Sequence, residues 1–339
     1  MNSNIYDNTL KYIKHNYIFL LIIIGVVVFA NINTGYSIYR PGGIININER
    51  IIINGEHVNK DGNISMSYAS MMEGKLPFVI LARIIPTWTL VRNTDMTYNE
   101  SETIRDMMQR NRLYYEESIN HAKYLAYLRS GTPFTIISQN NYVTHVTEKS
   151  TTDLQIGDLI IEYNGRQFLS VALFREYINT KSPDDEILIV YSRNDERRET
   201  VAIVYEENGL NFIGIRATTI FEFETDKKVT IDVRQSESGP SGGLMLTLAI
   251  YNALVASDIT KGRNVSGTGT IDIDGRVGII GGIPYKISGA VRSGVDIFLV
   301  PEENYDEAIT YKNERRYDII IIGVTDFDHA LTALKNLEG

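Results

Sequence analysis

Residues 237–243 have the sequence Glu-Ser-Gly-Pro-Ser-Gly-Gly and join two strongly patterned segments of the chain. Before this turn, residues 229–233 alternate between apolar and polar side chains, as in a half-buried strand. After it, apolar residues at helical spacing predict a buried helix over 244–255. Ser241 is therefore expected at the amino end of that helix. Backbone N–H groups and the helix dipole there can activate a nucleophile and hold an oxyanion, although a simple N-cap serine would occupy the same position.

A serine nucleophile needs a base, which is usually histidine. In the region 206–339 the only histidine is His329, and it lies in a stretch that predicts an exposed helix. A Ser-His-Asp triad through His329 is therefore an alternative. The other option is a lysine that is buried enough to be neutral at working pH. Lys286 is a candidate because it opens a helix of apolar and small residues, 287–291.

The composition excludes several classes of site. The 339 residues include no cysteine, which rules out a disulfide scaffold, a thiolate zinc site, an iron–sulfur cluster and a cysteine nucleophile. Neither the H-E-x-x-H pattern of zinc hydrolases nor the G-x-x-x-x-G-K-[ST] pattern of ATP-binding loops occurs. Lys and Arg number 33 against 42 Asp and Glu, so the net charge of −9 argues against a nucleic-acid partner. We expect no metal and no cofactor.

An apolar block lies near the amino terminus, where no charged residue occurs between Asn16 and Tyr39. A membrane helix needs about 20 apolar residues to cross about 30 Å of hydrocarbon, and residues 17–38 are favoured as such a helix. A cleaved signal peptide is an alternative, since residues 28–30 (Val-Phe-Ala) resemble a cleavage site. A buried core helix is a third interpretation.

The charges beside this block predict its orientation. Lys11 and Lys14 precede it, and only Asp7 opposes them. The positive-inside rule then places the amino terminus in the cytoplasm and the remainder outside. We therefore expect a single-pass protein of the cell membrane with extracytoplasmic domains. A protein whose domains face the cytoplasm is the alternative.

Residues 40–97 are rich in β-branched residues and predict extended structure. Within them, Asn54-Gly55 predicts a tight hairpin, and residues 78–85 predict a strand. Trp88, the single tryptophan, is interpreted as a packing anchor.

Residues 98–129 instead predict one or two amphipathic helices. Their start is expected at 99–102, and Gly131 is a stop signal. No chemistry is evident in this region. It completes a juxtamembrane α+β region.

Residues 132–205 have the rhythm of short strands separated by turns, with a helix over 170–179. They contain Leu154-x-Ile156-Gly157-Asp158-x-Ile160 followed by Asn164-Gly165. This pattern resembles the PDZ domain family, whose members bind extended peptides by strand addition. The resemblance implies a groove beside a strand over 142–146, where the peptide-binding residues would be Tyr142, Val143 and Thr144. A PDZ-shaped spacer that binds no peptide is the alternative.

Five short motifs occur in order along the chain, beginning with the turn that contains Ser241. They are Gly239-Pro240-Ser241-Gly242-Gly243, Gly267-Thr268-Gly269-Thr270-Ile271, Gly275-Arg276-Val277, Ile280-Gly281-Gly282 and Val300-Pro301-Glu302-Glu303-Asn304. Together they resemble the proteolytic domain of Lon-type serine endopeptidases. The resemblance implies that Ser241 is the nucleophile and Lys286 the general base. It also implies that Thr268 orients the lysine and that Gly242 supports the site. The family often has an acid three residues before the serine, where this chain has Ser238.

The whole chain resembles the membrane-anchored, PDZ-containing Lon-type proteases of Gram-positive bacteria. This implies an ATP-independent serine endopeptidase that cleaves protein or peptide substrates. Lon-type domains often form rings, so the resemblance also implies a homo-oligomer. The alternative from another class is a proteolytically inactive, membrane-tethered scaffold that binds peptides.

The predicted fold is α+β and multidomain, with one N-terminal transmembrane helix, a PDZ-like β-rich domain and a C-terminal α+β Lon-type proteolytic domain. The expected divisions are a cytoplasmic tail over 1–16, the transmembrane helix over 17–38, the juxtamembrane region over 39–131, the PDZ-like domain over 132–205 and the proteolytic domain over 206–339.

Overall fold

The computed structural model of the protein describes residues 2–97, 102–234 and 236–337. Its helices are α1 (Asn2–Asn31), α2 (Leu76–Ala82), α3 (Ile104–Ser130), α4 (Val171–Asn179), α5 (Gly243–Leu254), α6 (Ile283–Arg292), α7 (Tyr305–Arg315) and α8 (Phe327–Asn336). Its strands are β1 (Asn33–Asn46), β2 (Ile51–Ile53), β3 (Glu56–His57), β4 (Asn63–Lys75), β5 (Thr89–Arg92), β6 (Thr135–Val146), β7 (Leu159–Tyr163), β8 (Arg166–Gln167), β9 (Glu186–Arg193), β10 (Glu196–Ile203), β11 (Tyr205–Glu207), β12 (Leu210–Phe212), β13 (Ile215–Glu224), β14 (Val229–Ile231), β15 (Asn264–Gly267), β16 (Thr270–Ile271), β17 (Val277–Gly278), β18 (Ile297–Pro301) and β19 (Ile320–Val324).

The chain divides into two compact units. The small unit contains residues up to 40 and residues 70–96, whereas the large unit contains residues 41–69 and those from 97 onward. Strands β1 and β4 contribute residues to both units.

In the small unit, α1 contains one stretch that is long and apolar enough to cross a membrane, Lys11–Asn31, with mean hydropathy 2.1. None of that stretch is buried in the protein. The predicted helix over 17–38 is wrong at its carboxyl end, because α1 stops at Asn31 and β1 begins at Asn33. The side chain of Asn33 accepts a hydrogen bond from the N–H of Gly35, a local turn that competes with further helix.

The strand predicted over 78–85 is also wrong, since residues 76–82 form α2. Pro77 lies in the first turn of this helix, where its missing N–H costs nothing. Val79 and Ala82 pack with Ile38, and Trp88 packs against the same cluster, which confirms the packing role predicted for it. A short apolar run suits either element, so only these contacts decided between them.

The core of the large unit contains a parallel sheet with the strand order β19–β18–β15–β4. In this sheet, residues 63–66 of β4 pair with residues 264–267 of β15. A strand from the region before α3 thus lies beside the strand that leads to Thr268. The domain limits drawn from the sequence remain predictions. Helix α5 is almost completely buried against α3 and the sheet.

Helix α3 confirms the prediction of a helix in the segment 98–129. Thr103 and Asp106 form a capping box at its amino end, and Gly131 ends it in the left-handed conformation, with φ of 69°. Most of the start expected at 99–102 lies outside the described residues, which resume at Glu102.

The middle of the chain forms an antiparallel sheet with the order β10–β9–β7–β6–β13, and α4 packs on its core. The hairpin predicted at Asn164-Gly165 is confirmed, since Tyr163 pairs with Arg166 across these two residues. Asn54-Gly55 likewise joins β2 to β3. The helix predicted over 170–179 is α4, and Ser170 is its N-cap.

Candidate active site

Ser241 lies in a single 3-10 turn, Pro240–Gly242, that leads directly into α5. Gly239 precedes the turn with φ of 88°, a conformation that glycine adopts without strain. The N–H of Gly239 donates to the carbonyl of Asn111 at 2.8 Å. The hydroxyl of Ser118 donates to the carbonyl of Pro240 at 3.2 Å. Helix α3 therefore holds the turn from outside, and the side chain of Ser241 stays partly exposed.

Lys286 lies in the first turn of α6 and is only 4% exposed. Its Nζ atom lies 2.8 Å from Oγ1 of Thr268, which is completely buried. Burial lowers the pKa of Lys286 from 10.5 to about 7, because the charged amine loses its hydration. A substantial share of the amine is therefore neutral at neutral pH, as a general base requires.

Thr268 connects the lysine to the serine turn. Its Oγ1 donates to the backbone carbonyl of Ser241 at 2.9 Å, and the N–H of Gly269 donates to the same carbonyl at 2.8 Å. The structure thus brings together Ser241, Thr268 and Lys286, three residues on separate elements.

The backbone N–H groups at the head of α5 are partly engaged. Gly243 donates its N–H to the carbonyl of Pro240, and Leu244 donates to the carbonyl of Gly269 at 3.1 Å. These two groups are therefore not the oxyanion donors expected at the head of this helix. Gly242 lies one residue earlier and is buried against Met66, whose Sδ would lie 2.6 Å from a Cβ at this position.

Comparison with known proteins matches residues 216–336 to the Lon protease (S16) C-terminal proteolytic domain. Similar proteins include Lon protease 2 of Herpetosiphon aurantiacus, 35% identical over 95 residues, and the Lon protease of Clostridium acetobutylicum, 37% identical over 86 residues. The C-terminal region is a Lon-type proteolytic domain. These matches cover 28% and 24% of this chain but only 11% of each relative, so the chain spans about a tenth of their length.

Solved structures similar to part of this chain include two PDZ domains. That of the SdrC-like protein from Listeria monocytogenes is 26% identical and covers 24% of this chain and 92% of that domain, with a TM-score of 0.22. That of the SdrC-like protein from Listeria innocua is 30% identical and covers 23% and 92%, also with a TM-score of 0.22. The predicted α+β fold class is confirmed by the structure itself, which has an apolar N-terminal helix and a β-rich middle region, and by the match of residues 216–336 to a Lon-type proteolytic domain.

The acidic residue nearest to Ser241 in the sequence is Glu237, and its carboxylate is engaged by other residues. Glu237 pairs with Arg50 at 2.5 Å and accepts a hydrogen bond from the hydroxyl of Tyr115 at 3.3 Å. Burial, followed by the charge of Glu237, raises the pKa of Tyr115 well above its usual range. Glu237 therefore anchors the approach to the serine turn.

The contribution of α3 to the Lon-type site was not foreseen from the sequence. Asn111, Tyr115 and Ser118 contact the serine turn or Glu237, and their spacing of four and three residues places them on one face of the helix. That spacing is visible in the sequence. Nothing in the sequence shows that this face meets residues more than a hundred positions away.

His329, the base of the alternative triad, makes its contacts at the start of its own helix. Its Nδ1 accepts a hydrogen bond from the N–H of Thr325 at 3.3 Å, and the side chain is exposed. The Ser-His alternative gains no support from these contacts.

The residues expected to bind peptide lie on an interior strand. In β6, Tyr142 pairs with Leu159 on one side and with Thr218 on the other. Val143 and Thr144 are buried. Strand addition needs a strand with a free edge, and β6 has none at these positions. The prediction that a peptide adds beside residues 142–146 is therefore wrong in its choice of strand. The edge strands of this sheet are β10 and β13, and β13 is the one beside β6.

Helix α3 covers part of that edge. The side-chain amide of Asn120 donates to the carbonyl of Phe221 at 2.7 Å and accepts from the N–H of Phe221 at 2.9 Å. One residue of α3 thereby satisfies both backbone groups at this point of β13, while Ser118 holds the serine turn.

Proposed function

We propose that the chain is a membrane-anchored, ATP-independent serine endopeptidase with Ser241 as nucleophile and Lys286 as general base. The observation that carries the proposal is the buried amine of Lys286, 2.8 Å from a threonine whose hydroxyl in turn contacts the serine turn. Burying the charged form of a lysine lowers the stability of the folded protein, so a buried lysine is favoured when its amine is neutral. The match to a proteolytic domain supports the same reading.

The direction of the hydrogen bonds leaves the amine ready to accept a proton. Thr268 uses its hydrogen to donate to the Ser241 carbonyl, so its oxygen must accept from Lys286. A neutral amine that donates one N–H still has its lone pair. We propose that this lone pair takes the proton of the Ser241 hydroxyl as Oγ attacks the substrate carbonyl.

The remaining steps return the site to its starting state. The attack forms a bond from Oγ to the carbonyl carbon and places negative charge on the carbonyl oxygen. Because Gly243 and Leu244 are engaged, we propose the N–H groups of Ser241 or Gly242 as oxyanion donors. The charged Lys286 then gives its proton to the departing amine as the peptide bond breaks. The neutral lysine then takes a proton from water as the water oxygen attacks the acyl carbon, and it returns that proton to Oγ of Ser241 as the bond from Oγ to the acyl carbon breaks and the acid product leaves.

Anchoring rests on α1, whose stretch Lys11–Asn31 has the length and hydropathy of a membrane span. We propose a cytoplasmic amino terminus, on the charges of Lys11 and Lys14, and extracytoplasmic domains. ATP independence rests on the absence of an ATP-binding loop pattern from the 339 residues. Protein or peptide substrates follow from the proposed activity, and a ring of copies remains a prediction.

For the PDZ-like region we propose peptide binding at β13 in place of β6. Strand β13 is at the edge of the sheet, and α4 lies near it and near β12. A peptide added there would extend the sheet beyond β13, up to the point where Asn120 covers Phe221.

The test compares three variants of the full chain in detergent. Ser241→Ala and Lys286→Ala should abolish cleavage of an unfolded protein such as casein while thermal unfolding stays cooperative. Lys149→Ala, which removes an exposed lysine, is the matched control and should remain active. The unmodified protein should react at Ser241 with an active-site serine reagent, with or without ATP. Full activity in either site variant would contradict the mechanism. A folded protein that neither cleaves nor is labelled would be the inactive scaffold.

A further inference from the structure

The outward face of α2 is apolar, which is unusual for a surface helix. Val79 and Ala82 fill the inner side, against the cluster that contains Ile38. Four large apolar side chains of this segment are exposed by 36–71%: Phe78, Ile80 and Leu81 in α2, and Ile84 two residues after its end. We call these four residues the outer apolar patch. Large apolar side chains exposed close together in the sequence of a folded protein can mark a contact surface.

This patch is tied to the end of α1. The N–H of Leu76, the first residue of α2, donates to the carbonyl of Ile32 at 3.0 Å. The ammonium of Lys75 donates to the side chain of Asn31, the last residue of α1, at 3.2 Å. Both contacts lie within the small unit. Helix α2 therefore starts where α1 stops.

The length of α1 sets the level at which α2 would lie. The 21 residues of Lys11–Asn31 span roughly 32 Å at about 1.5 Å per residue, close to the ~30 Å of a hydrocarbon core. If α1 crosses a membrane, Asn31 lies at one face of the bilayer. The hydrogen bonds to Asn31 and Ile32 then hold the start of α2 at that face.

The side chains around the patch suit a lipid headgroup layer. Lys75 immediately precedes α2 and Arg83 immediately follows it. Arg40 stacks 5.7 Å above the ring of Trp88. Long basic side chains can reach phosphates while apolar neighbours insert among acyl chains, and tryptophan is enriched at this depth.

We propose that the outer apolar patch inserts into the interfacial layer of the same bilayer that α1 crosses, as a second membrane contact. The proposal rests on the proposed anchoring through α1. The occupant of the patch is lipid, because α2 is attached to the point where the membrane span ends and because its flanking charges are basic. Two attachments would fix the orientation of the small unit against the membrane.

The chain contains no cysteine, so single-cysteine variants can be labelled cleanly. The full chain, reconstituted in phosphatidylcholine–phosphatidylglycerol vesicles, would carry an environment-sensitive fluorophore at Leu81→Cys or at Ile84→Cys. Val26→Cys, within α1, is the control for anchoring. Glu199→Cys, at an exposed position on β10, is the control for aqueous exposure. The measurement is quenching by lipids that carry a nitroxide near the headgroup, and by iodide in the water.

Labels at residues 81 and 84 should lose most of their emission to the shallow lipid quencher and little to iodide, while the label at 199 shows the reverse. If the label at 26 is shielded by lipid but those at 81 and 84 are quenched only by iodide, the second contact is wrong and the anchoring stands. If residues 81 and 84 are shielded from both quenchers, a protein covers the patch and the proposal is also wrong. If residue 26 is open to iodide, the anchoring fails, and this proposal fails with it.

Discussion

Nζ of Lys286 lies 2.8 Å from Oγ1 of Thr268, and both side chains are buried. A buried cation that is paired only with a neutral hydroxyl is unfavourable. The environment beside Thr268 therefore favours the neutral form of the Lys286 amine. The threonine fixes where that amine points. Because the same hydroxyl donates to the backbone carbonyl of Ser241, hydrogen bonds through Thr268 link the three residues.

Hydrolysis should rise with pH through the pKa of Lys286, which burial lowers to about 7. Below that pH the amine is protonated and cannot accept the serine proton, so kcat/KM should fall about tenfold for each further pH unit. The profile is measured from pH 5 to 9 with a peptide substrate. Lys286→Arg, which keeps its charge at every pH in this range, should be inactive throughout. A flat profile would argue against the lysine as base.

The burial of Lys286 also predicts how the stability of the folded protein changes with pH. The pKa of Lys286 is lower in the folded protein than its ordinary 10.5, so the unfolded chain binds more protons between about pH 7 and 10.5. The contribution of this group to stability therefore increases with pH across that window. Lys286→Met should melt at a higher temperature than the unmodified protein at pH 7, and the difference should shrink by pH 10. An equal difference at both pH values would contradict the burial of a titrating amine.

Removing the hydroxyl of Thr268 should affect catalysis more than binding. Thr268→Val keeps the shape of the side chain but loses the contacts to Lys286 and to the Ser241 carbonyl. We expect kcat to fall by about 100-fold with KM little changed, and the pH profile to shift because the amine loses its partner. Thr268→Ser should retain most of the activity. Equal activity of the valine and serine variants would show that the hydroxyl has no positioning role.

Asn120 should contribute to stability through the edge of β13. Asn120→Ala removes two hydrogen bonds and leaves the N–H and carbonyl of Phe221 without them, which should lower the free energy of unfolding by about 2–3 kcal/mol. Arg112→Ala removes an exposed ion pair with Glu116 on the same helix and should cost less than about 1 kcal/mol. Thermal unfolding in detergent distinguishes the two. A small effect at Asn120 would indicate that the edge of β13 finds other partners.

Two glycines near the site should differ sharply in tolerance. A Cβ at Gly267 would lie 2.5 Å from the backbone carbonyl of Leu299 and 2.8 Å from Sδ of Met245, so Gly267→Ala should lower stability by about 1–3 kcal/mol. The variant should also lose activity, because Thr268 follows directly. Gly281→Ala is the matched control, since an added Cβ there would have no atom within 4 Å apart from those of its two chain neighbours. Comparable melting temperatures for the two variants would contradict the close approach at Gly267.

Features that depend on neighbouring residues could be predicted from the sequence. The turns at Asn54-Gly55 and Asn164-Gly165 and the stop at Gly131 each depend on the conformational preferences of one or two residues. The order of motifs around Ser241, Thr268 and Lys286 likewise pointed to a Lon-type proteolytic domain.

Features that depend on strand partners could not be predicted in the same way. The alternating residues of β6 fit an edge strand and an interior strand equally, and only pairing with both β7 and β13 decided between them. The apolar run 76–82 fits a strand and a short helix equally, and its contacts with Ile38 decided for the helix.

The sequence by itself determined which chemical groups are available: a serine on a glycine-rich turn, a lysine in an apolar segment, and no cysteine. Only the tertiary structure decided that Thr268 lies between them, that Ser118 on a distant helix holds the serine turn, and that Lys286 is buried enough for its pKa to fall. The reason is physical. Local turns depend on the backbone preferences of adjacent residues, whereas burial and hydrogen-bond partners depend on segments that meet only when the chain has folded.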